Sequence, residues 1–499
     1  MKIRTRFAPS PTGTPESIHL GFIIRALWSY AFAKKNNGEF ILRIEDTDQK
    51  RSNLHTEQAI YENLKTFNIT WDEGPDIGGP HAPYKQSLRL PKYQAAAHKL
   101  VSLGYAYYDF DAIKKEKDEI KAQYLDESKL ELIKKRPTAR DLDPNIAKQR
   151  VDNGDPFVVR AKIPENKLFK YNDWILKKEV KILGKEIPDL ILLKSDGFPT
   201  YHLAVVVDDI DMEISHVFRG QEWISTTPLH LFLYEAFSVI PPNIGHFTVI
   251  IDPRTNKKFS KRDASGLFGV NYWLRSGYME EAILNYLMLL GWAPKDNKEL
   301  FTMSEFIDAF DQNGVQKTNP VFNQKKIDWF AGTYIRALSL EELYSRFLNW
   351  SKKYSSNHII EEYVLNESFQ NKIKEGLKYI QERCINFSTL EKDLLKLFRI
   401  EGYQNLNKIK GLADKDKKDI IDSLKYLEQI LNVEDKNIWE KSIRDTAHKF
   451  EFKDADMFMC LRYALWGDQF SPPLFEICQI LGITECKKRI QFAITHIEL

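Results

Sequence analysis

Cysteine is scarce in this 499-residue chain, and all four, Cys384, Cys460, Cys478 and Cys486, fall in the C-terminal quarter. None forms a C-x-x-C pair, which argues against a cysteine-stapled scaffold and leaves free thiols in a reducing compartment as the expectation. Apolar runs are short. None approaches the roughly 20 residues that a membrane-crossing helix requires, and the N-terminus enters a strand-like segment without the apolar core of a signal peptide. The chain is therefore expected in the cytoplasm, with no membrane partner. An excess of either charge is also lacking, since 72 Lys and Arg stand against 70 Asp and Glu. Contact with a polyanion must then come from a local patch. No G-x-x-x-x-G-K-[ST] segment occurs, which excludes a Walker A phosphate loop. Internal repeats and low-complexity tracts are absent.

What is present exceeds one hydrophobic core, so three or more domains are expected. The first hundred residues alternate strand and helix signals. Ile3 to Phe7 reads as a strand, followed by the loop Pro9-Ser10-Pro11-Thr12-Gly13. From about Leu20 to Asn36 the apolar residues Phe22, Ile23, Ala26, Leu27, Tyr30 and Ala31 recur at helical spacing, and Asn36-Asn37-Gly38 supplies a stop. Phe40 to Ile44 reads as a buried strand running into Glu45-Asp46-Thr47-Asp48. That order predicts a parallel α/β sheet with its site beyond the strand C-termini. Residues 111–153 are Lys- and Glu-rich helical material, followed by β-like runs at Phe157–Ile163 and Ile187–Leu193. They read as an insertion, after which α/β patterning resumes near Tyr201–Val207. Phe247–Ile251 reads as the last sheet strand. Beyond about residue 270 helices dominate, most clearly Lys417–Asn432 with its Ile420, Ile421, Leu424, Leu427, Ile430 and Leu431 stripe.

Two segments carry chemistry. His19-Leu20-Gly21 opens a helix, where unpaired N–H groups and partial positive charge favour phosphate. Gly21 permits close approach of a nucleotide, and His19 can donate to a phosphate oxygen as charge builds in a transition state. Far downstream, Lys258, Ser260 and Lys261 surround Phe259 just after the expected last strand. A loop there can bring two ammonium groups onto a triphosphate. Either segment alone is a common feature, a helix start or a solvated basic run. Together they predict a nucleotide site divided along the chain.

The combination of Arg6-Phe7-Ala8-Pro9-Ser10-Pro11-Thr12-Gly13, His19-Leu20-Gly21, Arg43-Ile44-Glu45-Asp46-Thr47-Asp48 and Lys258-Phe259-Ser260-Lys261-Arg262 resembles the class I glutamyl-tRNA synthetases of bacterial type. Tyr84-Lys85-Gln86-Ser87, Lys194-Ser195-Asp196-Gly197 and Arg219-Gly220-Gln221-Glu222-Trp223 look like the same family, and dense matches cover roughly the first 330 residues. The resemblance implies a Rossmann-like catalytic domain with an inserted α+β acceptor-binding domain, followed by all-α C-terminal domains. The corresponding divisions are 1–105 and 197–265 for the two catalytic halves, 106–196 for the insertion, 266–335 for a stem-contact region and 336–499 for a helical anticodon-binding region.

The activity it implies is attack of the glutamate α-carboxylate on the α-phosphate of ATP with Mg2+, then transfer of the glutamyl group to the 3′ end of tRNA(Glu), by a monomer. His19, Lys258 and Lys261 would be catalytic; His19, Gly21, Trp223, Lys258, Ser260 and Lys261 would bind ATP. Arg6, Ser10, Glu45, Tyr201 and Arg219 would bind glutamate, the two arginines gripping its side-chain carboxylate through their planar forks. Arg383 would touch the anticodon. The insertion has no cysteine, so no structural zinc is expected there. Its Lys114, Lys115, Lys117, Lys121, Lys134 and Lys135 could meet acceptor-end phosphates.

The chain also departs from the family pattern. Five residues, Thr14-Pro15-Glu16-Ser17-Ile18, separate Gly13 from His19 where the family has two, so three must loop out for His19 to keep its place. Val205 stands where the family has asparagine, removing an amide expected near the substrate carboxylate, and Asp263-Ala264 replaces His-Gly. Two alternatives stay open on this reading: a non-discriminating enzyme that also charges tRNA(Gln), and a catalytically silent tRNA-binding relative.

Overall fold

The computed structural model of the protein describes residues 2–112, 116–125, 137–259, 266–356, 363, 366–400, 402–409 and 411–498. The chain divides into two compact units, Met1–Tyr272 with Leu284–Asn323, and Trp273–Ile283 with Gln324–Leu499.

In chain order the strands of the first unit are β1 (Arg4–Phe7), β2 (Glu39–Leu42), β3 (Ala106–Asp109), β4 (Val158–Ala161), β5 (Leu168–Asn172), β6 (Glu179–Leu183), β7 (Ile191–Leu193), β8 (His216–Gly220), β9 (Asn243–Phe247), β10 (Ile251–Asp252) and β11 (Lys257–Lys258). Four of them form a parallel sheet in the order β2-β1-β8-β9. Helix α1 (Leu20–Lys35) connects β1 to β2 and buries Leu20, Ile23, Leu27 and Trp28. It stops where the periodicity stops: Asn36 caps it, Asn37 adopts φ 52°, and Gly38 passes so close to β1 that a Cβ would lie 2.3 Å from the Ile3 carbonyl oxygen. Between Ala106 and Leu193 the first unit also carries a separate antiparallel sheet, β3-β4-β7, and the β5–β6 hairpin.

Two sequence expectations change. The run Phe247–Ile251 is not one strand. β9 ends at Phe247 because the following amides find other partners: Val249 N–H donates to the Asn319 side chain and Ile251 N–H to the Pro320 carbonyl. Ile251–Asp252 then pairs antiparallel with Lys257–Lys258. Within Ile187–Leu193 only Ile191–Leu193 is a strand, since Pro188 has no N–H to give and the Asp189 side chain turns to accept from Ile163 N–H and the Tyr107 hydroxyl. Near Tyr201–Val207, where α/β patterning resumes, the chain forms a helix, Tyr201–Asp211, whose Leu203, Ala204, Val205 and Val206 pack into the core.

The second unit is helical and encloses its own core, in which Phe347, Leu377, Leu390, Leu424, Ile443 and Leu461 are all buried. The predicted Lys417–Asn432 helix spans Lys417–Ile430, capped by the Asp416 side chain at the Lys418 N–H. All four cysteines are buried. Among the described residues no helix is long and apolar enough to cross a membrane.

Candidate active site

A cavity of about 1030 Å³ opens beyond the carboxyl ends of the parallel strands, where such sheets bind their ligands. Arg6, Ser10, His19, Gly21, Glu45, Tyr201, Arg219, Trp223 and Lys258 all line it. Residues more than two hundred positions apart thus share one cavity, because β1, β2, β8 and β9 end side by side.

The lengthened loop before His19 is taken up locally. Pro15–Ser17 forms a single 3-10 turn, while Ile18 and His19 stay buried. His19 caps α1, its Nδ1 accepting from the Phe22 N–H at 3.2 Å. The ring proton is therefore on Nε2, which makes that atom a donor. The imidazole stacks on Phe268, centroids 4.5 Å apart, and Phe268 stacks on Phe259 at 4.9 Å with planes 3° apart. Phe259 directly follows Lys258, so the ring stack joins the two segments that the sequence presents far apart. Lys258 is exposed and its Nζ lies 3.7 Å from Glu222. Ser260, Lys261 and Arg262 lie outside the described residues, as do Lys114, Lys115, Lys134 and Lys135. Lys117 is exposed and lines the cavity.

The two arginines are held differently. Arg6 Nε donates to both Asp209 oxygens at 3.2 and 3.3 Å, and Asp209 also accepts from Arg43 Nη1 at 2.8 Å. Arg43 in turn donates to Glu45 at 3.1 Å. Burial pushes the Glu45 carboxyl up to about 7, against the attraction of Arg43 and Arg6. Arg219 Nε donates to His246 Nε2 at 3.0 Å, Nη1 meets His230 Nδ1 at 2.9 Å, and Nη2 donates to the Thr227 hydroxyl at 2.5 Å and the Trp223 carbonyl at 3.4 Å. Four of its five N–H groups are thereby engaged, which leaves one Nη1 N–H.

Tyr201 and Trp223 pack ring on ring with centroids 4.4 Å apart. Burial raises the Tyr201 hydroxyl above its ordinary value. Val205 is buried in a core cluster and is not among the cavity-lining residues. Arg383 is exposed on a 3-10 turn, Gln381–Arg383, of the second unit. Sequence reasoning missed Asp209, Arg43, His230, His246 and Asp173. One signal was available for the first: Asp208 and Asp209 interrupt an otherwise apolar helix, and buried carboxylates need cationic partners. Among the described residues no group of three or more His, Cys, Asp or Glu could hold a metal ion.

With this geometry, comparison with known proteins is decisive. The chain belongs to the class I tRNA synthetases of the E and Q type: their catalytic-domain family matches residues 2–329, and an anticodon binding domain matches residues 342–494. A glutamate–tRNA ligase of Pseudoalteromonas translucida is 36% identical over 100% of this chain and 96% of its own length. One from Dehalococcoides mccartyi is 37% identical over 99% and 98%. The crystal structure of glutamate-tRNA synthetase from Elizabethkingia anophelis covers 99% of this chain and 100% of its own, at 32% identity and a TM-score of 0.79. That of the glutamate tRNA ligase from Elizabethkingia meningosepticum, in complex with its amino acid, covers 100% of both chains at 31% identity and a TM-score of 0.78.

Proposed function

We propose that this chain is a glutamate–tRNA ligase. It activates L-glutamate with ATP to glutamyl-adenylate and transfers the glutamyl group to the 3′ end of tRNA(Glu), releasing AMP and diphosphate. The observation that carries this reading is the shared cavity: two buried guanidinium groups and a carboxyl at Glu45 line the same space as a histidine-capped helix start and Lys258.

In the first step a glutamate α-carboxylate oxygen forms a bond to the α-phosphorus of ATP, and the bond to the departing diphosphate breaks. No protein nucleophile is needed; positioning and charge stabilisation suffice. Arg6 and Arg219 bind the side-chain carboxylate, Glu45 the α-ammonium, and Ser10 and Tyr201 complete the amino-acid contacts. His19 Nε2–H, Lys258 and Lys261 stabilise charge on the phosphates, Gly21 and Ser260 line the triphosphate path, and Trp223 walls the nucleotide. Mg2+ arrives with ATP as part of the substrate. In the second step the terminal ribose hydroxyl attacks the adenylate carbonyl and AMP leaves. The insertion, 106–196, receives the acceptor end, 266–335 contacts the stem, and 336–499 reads the anticodon, with Arg383 at its third base. The enzyme acts as a monomer and discriminates against tRNA(Gln).

ATP–pyrophosphate exchange, run with and without tRNA(Glu), tests the first step. Glutamate-dependent exchange is expected. Its absence even with tRNA(Glu) present overturns the reading in favour of a silent tRNA-binding protein.

A further inference from the structure

Arg219 lies opposite His246 in the register of β8 and β9, and behind His246 lies Asp173, from the turn that follows β5 in the insertion. His246 Nδ1 is 2.6 Å from Asp173 Oδ2, with both side chains at most 1% exposed. The other oxygen, Asp173 Oδ1, accepts from the N–H groups of Ile175, Leu176 and His246. Gly245 allows this turn to sit against β9, since a Cβ there would lie 2.5 Å from Ile175 and Trp174 side-chain atoms. On its other side Arg219 meets His230, whose Nε2 is 3.0 Å from His202 Nδ1.

A guanidinium has donors only, so every imidazole nitrogen facing it must accept. His246 must then carry its proton on Nδ1, donating to Asp173. His230 must carry its proton on Nε2, donating to His202. The chain of five residues has one consistent arrangement of protons, and all three imidazoles are neutral in it. Burial, reinforced by Arg219, lowers His230 and lowers His202 to about 3, and burial also lowers His246 despite Asp173. The consequence for Arg219 is electrical. Arg6 shares its charge with Asp209 at 3.2 Å, whereas the direct partners of Arg219 are imidazoles, a hydroxyl and a carbonyl. A cation held by neutral acceptors in a buried site keeps its attraction for a ligand anion.

We infer that Asp173 and His246 are positioning residues: Asp173 fixes the His246 tautomer, and His246 aims Arg219 at the side-chain carboxylate of the bound amino acid. This rests on the glutamate reading above. It gives the insertion a part in amino-acid recognition, through a residue that does not itself line the cavity.

Asp173→Asn is the informative substitution. It fills the same volume and keeps an oxygen for the three backbone N–H groups, but its amide NH₂ faces His246 Nδ1. The imidazole is then forced to present an N–H to the Arg219 Nε–H, a wrong-tautomer defect of the kind that disables catalytic dyads while preserving their geometry. Glutamate-dependent ATP–pyrophosphate exchange in the full-length enzyme reads the result. KM for glutamate is expected to rise about tenfold or more, as for loss of a charged hydrogen bond. KM for ATP and kcat are expected to stay within about threefold. An unchanged glutamate KM, or a loss confined to kcat, overturns the inference. The wild-type exchange is the control that separates this outcome from failure of the glutamate reading. Independently of any variant, ¹⁵N-histidine NMR of the wild-type enzyme is expected to show His246 as the neutral Nδ1–H tautomer and His230 as the neutral Nε2–H tautomer. The opposite tautomers, or a charged His246 at neutral pH, overturn it without reference to activity.

Discussion

The His19 imidazole lies flat on the Phe268 ring, with planes 15° apart, and Phe268 lies flat on Phe259. Three rings thus hold the helix-start histidine against the segment that leads into the basic loop. Each aromatic pair contributes about 0.5–1.5 kcal/mol beyond burial. Phe268→Leu keeps the apolar volume and removes both stacks. The exchange rate at saturating substrates is expected to fall about tenfold, and a rate equal to wild type would show that the stack does not orient His19.

Lys261 is proposed to act in the transition state of activation. Lys261→Ala is expected to lower the exchange rate by about 10²–10³-fold, the usual cost of losing one preorganised donor. Single-turnover measurement of adenylate formation checks this, and an unaltered rate removes Lys261 from the mechanism.

Glu45 predicts a pH dependence. Its carboxyl is raised to about 7, chiefly by burial. A folded-state value above the ordinary one means that folding favours the protonated form, so the stability this group contributes is fullest below about 4.5 and is lost as pH rises through about 7. Binding an α-ammonium acts in the opposite direction, because it requires the carboxylate. KM for glutamate is therefore expected to climb as pH falls below about 7, by at most about tenfold per unit. Glu45→Gln should raise KM and flatten the profile. A wild-type KM that is constant across this range contradicts the assignment.

Asp209 lies between Arg6 and Arg43, all three buried. Asp209→Asn takes the ion-pair partner from Arg6 and leaves Arg43 with Asp208 and Glu45, and is expected to destabilise the first unit by about 3–5 kcal/mol. The exposed Lys148–Asp152 pair offers the contrast, since solvent screens it and Asp152→Asn should change stability far less. Denaturant titration of both variants measures the difference. Equal effects would mean that the buried network is not what holds Arg6.

Much of this site was legible in the sequence because the signals were local. The α1 periodicity, its Asn-Asn-Gly stop and the His19 cap all lie within about one helix length, and each residue's preference agrees with its neighbours. The β9 boundary was not legible, because what ends that strand is Asn319 and Pro320, some seventy residues away. The same holds for Arg219. Its type and position marked it as a ligand for a carboxylate, but its partners are brought in by β9, a helix and the insertion, and His246 and Asp173 are separated by 73 positions. The lengthened loop before His19 was visible as extra residues, and only the fold shows that Pro15–Ser17 form one 3-10 turn.

The central claim is ligation of glutamate to tRNA(Glu), and the direct test is aminoacylation of purified tRNA(Glu) and tRNA(Gln) with labelled glutamate, using glutamine as control. The account predicts ATP-dependent charging of tRNA(Glu) with glutamate, none of tRNA(Gln), and none of either with glutamine. Failure to charge tRNA(Glu) with glutamate would contradict it.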